Sequence, residues 1–463
     1  MKLFFVLLLA AFGLVAQATE PHTLPAPVAQ ALKAAGIPAQ SVAIVVRPIE
    51  NEKTLLRHRG DAAMNPASLM KLVTTTAALE LLGPATTWRT EVLADALPDG
   101  NGVLAGDLYL RGSGDPKLTY DRLWLLLREL RARGVREIRG DLVIDRTAFA
   151  PTDHDPAAFD GKLLRPYNVG PDALLFNFAT LHLTLVPDGQ SVRVLAEPLP
   201  AGFEVVNRLQ LNDKVGCGEW RERLDAQLTP TRLTLSGAFP RSCGEKRWHL
   251  AGLPNALLLH GVFTRLWREL GGEFSGAWRE RATPASAIAL ATSESPTLGE
   301  LVRDINKFSN NVMARQVFLT LGAGTTAAAD QAIRAWLARK GLDFPELVLD
   351  NGSGLSRRER ISADHLARLL AVTWASPIMS ELMSSLPIVA VDGTAKKRYN
   401  GVSYAGQAHL KTGSLEGVRG IAGYLLDQQG RRHIVVFMVN HPNAAQAQPA
   451  FDVLLDTLWQ GAS

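Results

Sequence analysis

This chain has little cysteine, little charge imbalance and no long hydrophobic run beyond its first residues, and each shortage removes a class of protein. The two cysteines among 463 residues show no zinc-site spacing, and the ten histidines include no H-E-x-x-H string, so no metal or other cofactor is implied. After the N-terminus no segment reaches 18 apolar residues without a charge, which argues against a transmembrane anchor. A net charge of +4 with no Lys/Arg run gives no reason to expect nucleic acid. No internal repeat or low-complexity segment is visible. What remains is 47% apolar and 20% charged, the balance of a well-packed globular protein long enough for two or three domains.

The first 18 residues read as a secretory signal peptide. Lys2 precedes an apolar run from Leu3 to Val15, and Ala16-Gln17-Ala18 is a small-residue cleavage site, so the mature chain should begin at Thr19 and be exported to the periplasm. In such an oxidising compartment Cys217 and Cys243 are candidates for one disulfide, with two unpaired thiols as the alternative.

Periodicity divides the rest. A helix over 25–35, a hairpin of 41–48 with 54–58 around Glu50-Asn51, and a buried helix from Asn65 to Leu82 come first. In that helix Asn65 should be the N-cap and Pro66 the first helical residue. From 89 to 281 short β-like runs alternate with Gly, Pro and Asp, broken by one clear helix at 121–133. This reads as an inserted, mostly β region. Helices return at 297, where Thr297 and Glu300 form a capping box, with a break near Phe308-Ser309. Three strands (408–412, 420–426, 433–439) and an amphipathic C-terminal helix end the chain. The expected architecture is α/β (α+β): an antiparallel sheet uniting the N-terminal hairpin with C-terminal strands, flanked by helices. Residues 19–88 and 282–463 form this unit, with 89–281 inserted.

Three short strings carry chemistry. Ser68-Leu69-Met70-Lys71 puts a hydroxyl and an amine at i and i+3 on one helical face. A serine needs an adjacent base, and a lysine serves if burial lowers its pKa. Ser309-Asn310-Asn311 sits at the helix break: Ser309 would relay a proton to a leaving amine and Asn311 would bind a substrate amide. Lys411-Thr412-Gly413 ends a strand. Lys411 would supply positive charge, Thr412 a hydroxyl for a carboxylate, and Gly413 room for substrate backbone. The N–H groups of Ser68 and Ser414 would form an oxyanion hole. Each string alone is common; together they contain the parts for acyl transfer through a serine ester.

The same strings, in this order, resemble those of the class C low-molecular-mass penicillin-binding proteins of the peptidase S13 family. So do Gly112-Ser113-Gly114-Asp115-Pro116, Asp350-Asn351-Gly352-Ser353-Gly354-Leu355-Ser356, Val391-Asp392-Gly393-Thr394, and the long separation between Ser68 and Ser309. The resemblance spans the mature chain. It implies a penicillin-binding/β-lactamase-like transpeptidase fold and a D-alanyl-D-alanine carboxypeptidase/endopeptidase. Its substrates would be peptidoglycan stem peptides, and β-lactams would acylate Ser68. It further implies that Arg357 and Glu416 hold the stem-peptide side chain, with a contribution from the insert near Asn177. Glu416 departs from the family, which has an amide there. A surface Glu and a turn-stabilising Arg would be the plainer account. The rival functions are a serine β-lactamase and a non-catalytic wall-binding protein with the same fold.

Overall fold

A computed structural model describes residues 24–50, 53–399 and 401–461. The signal-peptide reading and the tip of the first hairpin therefore lie outside the described residues. Five strands form the central antiparallel sheet, in the order Ala408–Leu415, Val418–Leu426, Arg432–Asn440, Val42–Pro48, Leu56–His58. The N-terminal hairpin thus docks on the last strand to be made, with Val42 opposite Val439 and Pro48 opposite His433.

Both faces of this sheet are covered, so its strands read as nearly continuous apolar runs. Side chains alternate: Ala43 and Val45 join Ala422, Val436 and Met438 in a core shared with the helices Met70–Leu81, Leu298–Lys307, Asn311–Leu321, Thr326–Arg339 and Ala363–Trp374. Val42, Ile44 and Val46 face the other way, with Ile421 and Phe437, against Ala26–Ala34 and the C-terminal helix Gln448–Trp459. The capping box forms as expected: Glu300 Oε2 accepts from the Thr297 N–H at 2.8 Å.

Two expectations are corrected. The nucleophile helix does not start at Asn65. A 3₁₀ turn, Ala67–Leu69, precedes the α-helix Met70–Leu81, because Ala67 has φ +48° and cannot lie inside a continuous helix. Asn65 Oδ1 still accepts a backbone N–H, that of Ala67 at 2.9 Å, so it braces the turn rather than the helix. The middle region also holds a second helix, Asn255–Glu269, besides Tyr120–Ala132. Gly261, which punctuates its sequence pattern, is where the helix meets Pro200: a Cβ there would lie 2.5 Å from that proline's Cβ.

The middle region has its own core. Its main sheet runs Trp278–Glu280, Leu142–Asp145, Leu108–Gly112, Arg89–Ala94, Ile288–Glu294. The last strand pairs Glu294 with Arg89, so strand pairing continues past residue 281. Smaller three-stranded sheets complete the region, and Cys217 Sγ lies 2.15 Å from Cys243 Sγ. Among the described residues no helix is long and apolar enough to cross a membrane.

Candidate active site

The turn bearing Ser68 is fixed from three sides. Asn440, at the end of a central strand, accepts from the Asn65 N–H at 2.8 Å and donates to the Asn65 carbonyl at 3.0 Å. Asn65 Nδ2 donates to the Ser356 carbonyl at 2.8 Å. Gly354, with φ +81°, passes so close beneath that a Cβ there would lie 2.0 Å from the Ala67 carbonyl oxygen. Ala67 is thereby held in a left-handed conformation that an alanine adopts only when its surroundings impose it. Ser68 follows directly, half-exposed to the cleft.

Lys71 is fully buried, and its Nζ donates to Ser68 Oγ at 3.1 Å, to Asn311 Oδ1 at 2.6 Å and to the Ser353 carbonyl. Burial holds its ammonium pKa well below the usual lysine range; the nearby Lys411 charge pushes the same way, and Glu359 opposes both. The hydroxyl this amine contacts is that of the serine three residues before it.

Ser309 has φ +56° at the break between two helices, which turns its side chain toward the edge strand of the sheet. There Lys411 Nζ donates to Ser309 Oγ at 2.9 Å and to the Thr412 carbonyl at 2.7 Å. Lys411 is also fully buried, and burial, with the Arg398 charge second, lowers its pKa to about 7. The two lysines thus each grip one residue of Ser309-Asn310-Asn311. Asn311 Nδ2 further reaches the Tyr167 carbonyl, 3.4 Å away in the middle region.

Thr412 Oγ1 shares a hydrogen bond with Thr394 Oγ1 at 2.7 Å, and Ser414 Oγ accepts from Arg398 at 3.3 Å. Gly413 also meets a constraint that the sequence does not suggest. A Cβ there would lie 2.7 Å from the Pro66 carbonyl oxygen, so the glycine lets the edge strand press on the serine turn. Arg357 donates to the Glu416 carbonyl at 2.8 Å, approaches its carboxylate at 3.5 Å and stacks on Phe159, 5.0 Å from the ring centre. These two expected substrate contacts therefore face one another at the rim. Asn177 is not among the rim residues: it is buried, and its Nδ2 is spent on the Thr180 carbonyl at 3.1 Å.

Sequence reasoning missed Glu359 and Arg315. Glu359 is fully buried and accepts from the N–H groups of Asp350, Asn351 and Gly352 at 3.3, 3.1 and 2.9 Å. That turn leads into Ser353, whose carbonyl holds Lys71. Arg315 donates to the Val169 carbonyl at 2.8 Å and borders a cavity of about 510 Å³, which Phe159, Asn351, Leu355 and Arg357 also line. Its guanidinium pKa is lowered to about 10 by burial. A lone acid within Arg357-Arg358-Glu359-Arg360 was the signal for Glu359; Arg315 gave none.

A serine and a buried lysine one turn apart, set against the edge strand of an antiparallel sheet packed by helices on both faces, define the penicillin-binding, β-lactamase-like class of serine peptidases. Residues 24–458 match the model of the D-Ala-D-Ala carboxypeptidase 3 (S13) family, and the chain belongs to that family. It is a hydrolase of the serine peptidase kind. It is 29% identical over 438 residues to a D-alanyl-D-alanine carboxypeptidase of Actinomadura sp. (strain R39), covering 88% of this chain and 79% of that one. It is 26% identical over 413 residues to D-alanyl-D-alanine carboxypeptidase DacB of Haemophilus influenzae, covering 86% and 85%. The crystal structure of penicillin-binding protein 4 (dacB) from Haemophilus influenzae superposes with a TM-score of 0.77 at 24% identity, over 93% of this chain and 99% of that one. The same protein complexed with a β-lactam gives a TM-score of 0.73 at 24% identity, over 94% and 100%.

Proposed function

We propose that this chain is an exported, periplasmic DD-peptidase that cleaves peptidoglycan stem peptides through an ester on Ser68. The observation that carries the reading is the contact between Ser68 Oγ and the buried amine of Lys71, whose pKa burial lowers well below the usual lysine range. Neutral Lys71 takes the hydroxyl proton as Ser68 Oγ attacks the carbonyl of D-Ala-D-Ala. The oxyanion forms against the N–H groups of Ser68 and Ser414. The proton taken up by Lys71 is handed on through Ser309 to the departing amine, which regenerates both side chains, and D-alanine leaves. In the endopeptidase mode the same step releases the cross-linked peptide joined through diaminopimelate. Water, activated by Lys71 or Ser309, then hydrolyses the ester. β-Lactams acylate Ser68 because their amide occupies the place of the scissile bond.

Hydrolysis of that ester should be slow for a β-lactam. Among the described residues no carboxylate is hydrogen-bonded to Ser68 or Lys71, and Glu359, the buried acid near the site, turns Oε1 to three backbone N–H groups, so no acid stands in the position from which a lactamase activates water. The cavity beside Leu355 and Arg357 offers room for the stem-peptide side chain. Arg357 would take its carboxylate and Glu416 its ammonium once their mutual pair opens.

Mass spectrometry after exposure to penicillin, with release of D-alanine measured in parallel, tests the reading. The wild type should carry one penicilloyl group on Ser68 for minutes. Ser68→Ala should abolish labelling and turnover, and Lys71→Ala should do nearly the same, since the two act as one unit. Near-normal acylation of Lys71→Ala, or rapid turnover of penicillin by the wild type, would sink the assignment. Peptides with and without the diaminopimelate head group, run on the wild type, Arg357→Ala and Glu416→Ala, test the side-chain contacts. A preference that neither substitution alters counts against them.

A further inference from the structure

The string Val391-Asp392-Gly393-Thr394 stands just before the edge strand, and the reaction steps above make no use of it. Asp392 Oδ2 receives Lys307 Nζ at 2.6 Å and Oδ1 receives the Ile388 N–H at 2.8 Å, which pins the segment between helix and sheet. Gly393 fits where a Cβ would meet the Lys307 carbonyl oxygen at 2.5 Å. So held, the segment lays two side chains against the strand. Thr394 meets Thr412, and Arg398 meets Ser414. Thr412 and Ser414 are two apart on a strand and therefore share a face, and Arg398 stands at the far end of that row of hydroxyls.

Arg398 is poorly matched to its own protein. Nη2 donates to Ser414 Oγ at 3.3 Å, while Nη1 is buried with no hydrogen-bond partner. No carboxylate of the described residues pairs with Arg398, nor with Lys411 or Arg419, its cationic neighbours. Burial, and after it the Arg398 charge, lowers the pKa of both Lys411 and Arg419, the direction expected of three cations set close together. An arginine left half-buried among cations, with hydroxyls aligned beneath it, offers an anion both charge and unspent donors.

We propose that Arg398 is a binding and specificity-determining residue for the substrate carboxylate adjacent to the scissile amide, completing with Thr412, Ser414 and Lys411 a site that Thr412 alone would leave weak. This rests on the function proposed above. If the scissile carbonyl lies against the Ser414 N–H, the carboxylate on the amine side of the bond falls over the Thr412–Ser414 row. That carboxylate is the terminal one of D-Ala-D-Ala, or the one on the diaminopimelate centre of a cross-link, so one arginine serves both modes. Bidentate recognition is what a guanidinium offers and an ammonium does not.

The test compares a peptide ending in D-Ala-D-Ala with the same peptide as its C-terminal amide, on the wild type, Arg398→Lys and Arg398→Gln. Arg398→Gln should lower kcat/KM for the acid by about 10- to 100-fold, the range of a lost charged hydrogen bond. The amide should be nearly unaffected, and Arg398→Lys should fall between. A merely structural arginine would cost both peptides alike, and that result, or an unchanged acid-to-amide ratio, overturns the proposal. If Arg398→Gln fails to fold, the ratio in Arg398→Lys decides. A wild type that releases D-alanine from neither peptide overturns the proposed function instead.

Discussion

Lys411 shows what one buried amine does to both chemistry and stability. Its folded pKa is about 7 against an ordinary 10.5, so between those values the unfolded chain binds the extra proton and the folded one does not. Stability therefore rises with pH across that window, and below about pH 7 the folded state bears the full cost of a buried ammonium. Lys411→Met should accordingly melt above the wild type at pH 6, with the gap narrowing as the pH climbs toward 10, while acylation by penicillin is lost. Thermal melts at several pH values check this, and a gap independent of pH would contradict it. That Ser68, Lys71, Ser309, Asn311 and Lys411 would be brought together was legible in the sequence, because acyl transfer asks for particular residue types in particular strings. Glu359 and Arg315 were less so: their roles come from burial, which only the folded chain reveals. Gly413 was legible as a glycine but not as a contact with Pro66.

At the scale of elements, the loop 350–356 governs the geometry of the serine turn. Gly354 leaves no space between itself and the Ala67 carbonyl, and its φ of +81° is strained for any other residue. Gly354→Ala should cost about 1–3 kcal/mol of stability from backbone strain alone, and more where the turn must move aside. Its penicillin acylation should slow by more than that destabilisation explains; normal acylation at a lowered melting temperature would show that the turn tolerates the shift. Most elements could be read from periodicity, including the capped helix at Thr297 and all three C-terminal strands, because both faces of the sheet are buried and the apolar runs are long. The start of the nucleophile helix could not, since Asn-Pro-Ala-Ser is a good helix opening locally. Only the packing of Gly354 and Gly413 around it produces a 3₁₀ turn instead. The helix 255–269 was hidden by a glycine that its tertiary neighbour demands.

For the whole molecule, the middle region and the catalytic sheet hold separate cores and meet where Tyr167 and Val169 touch Asn311 and Arg315. A Cys217–Cys243 link would close a loop with a sequence separation of 26 in the middle core. On the chain-entropy account replacing both by serine should lower stability by on the order of 3 kcal/mol. Acylation of Ser68 at low temperature should be unchanged, because the pair belongs to the other core. Two reactive thiols in the unfolded, unreduced wild type would end the idea. The central sheet carries a different consequence. Its first two strands come from the start of the chain and the other three from the end, with Ser68 and Lys71 following the former and Lys411 standing on the latter. A chain still being synthesised therefore holds Ser68 and Lys71 long before the strand that completes the cleft. The contacts that the strand bearing Lys411 makes with Pro66 and Ser309 must wait for residues 408–415, a long-range closure that is slow by nature. The cleft is thus assembled only once nearly the whole polypeptide is present.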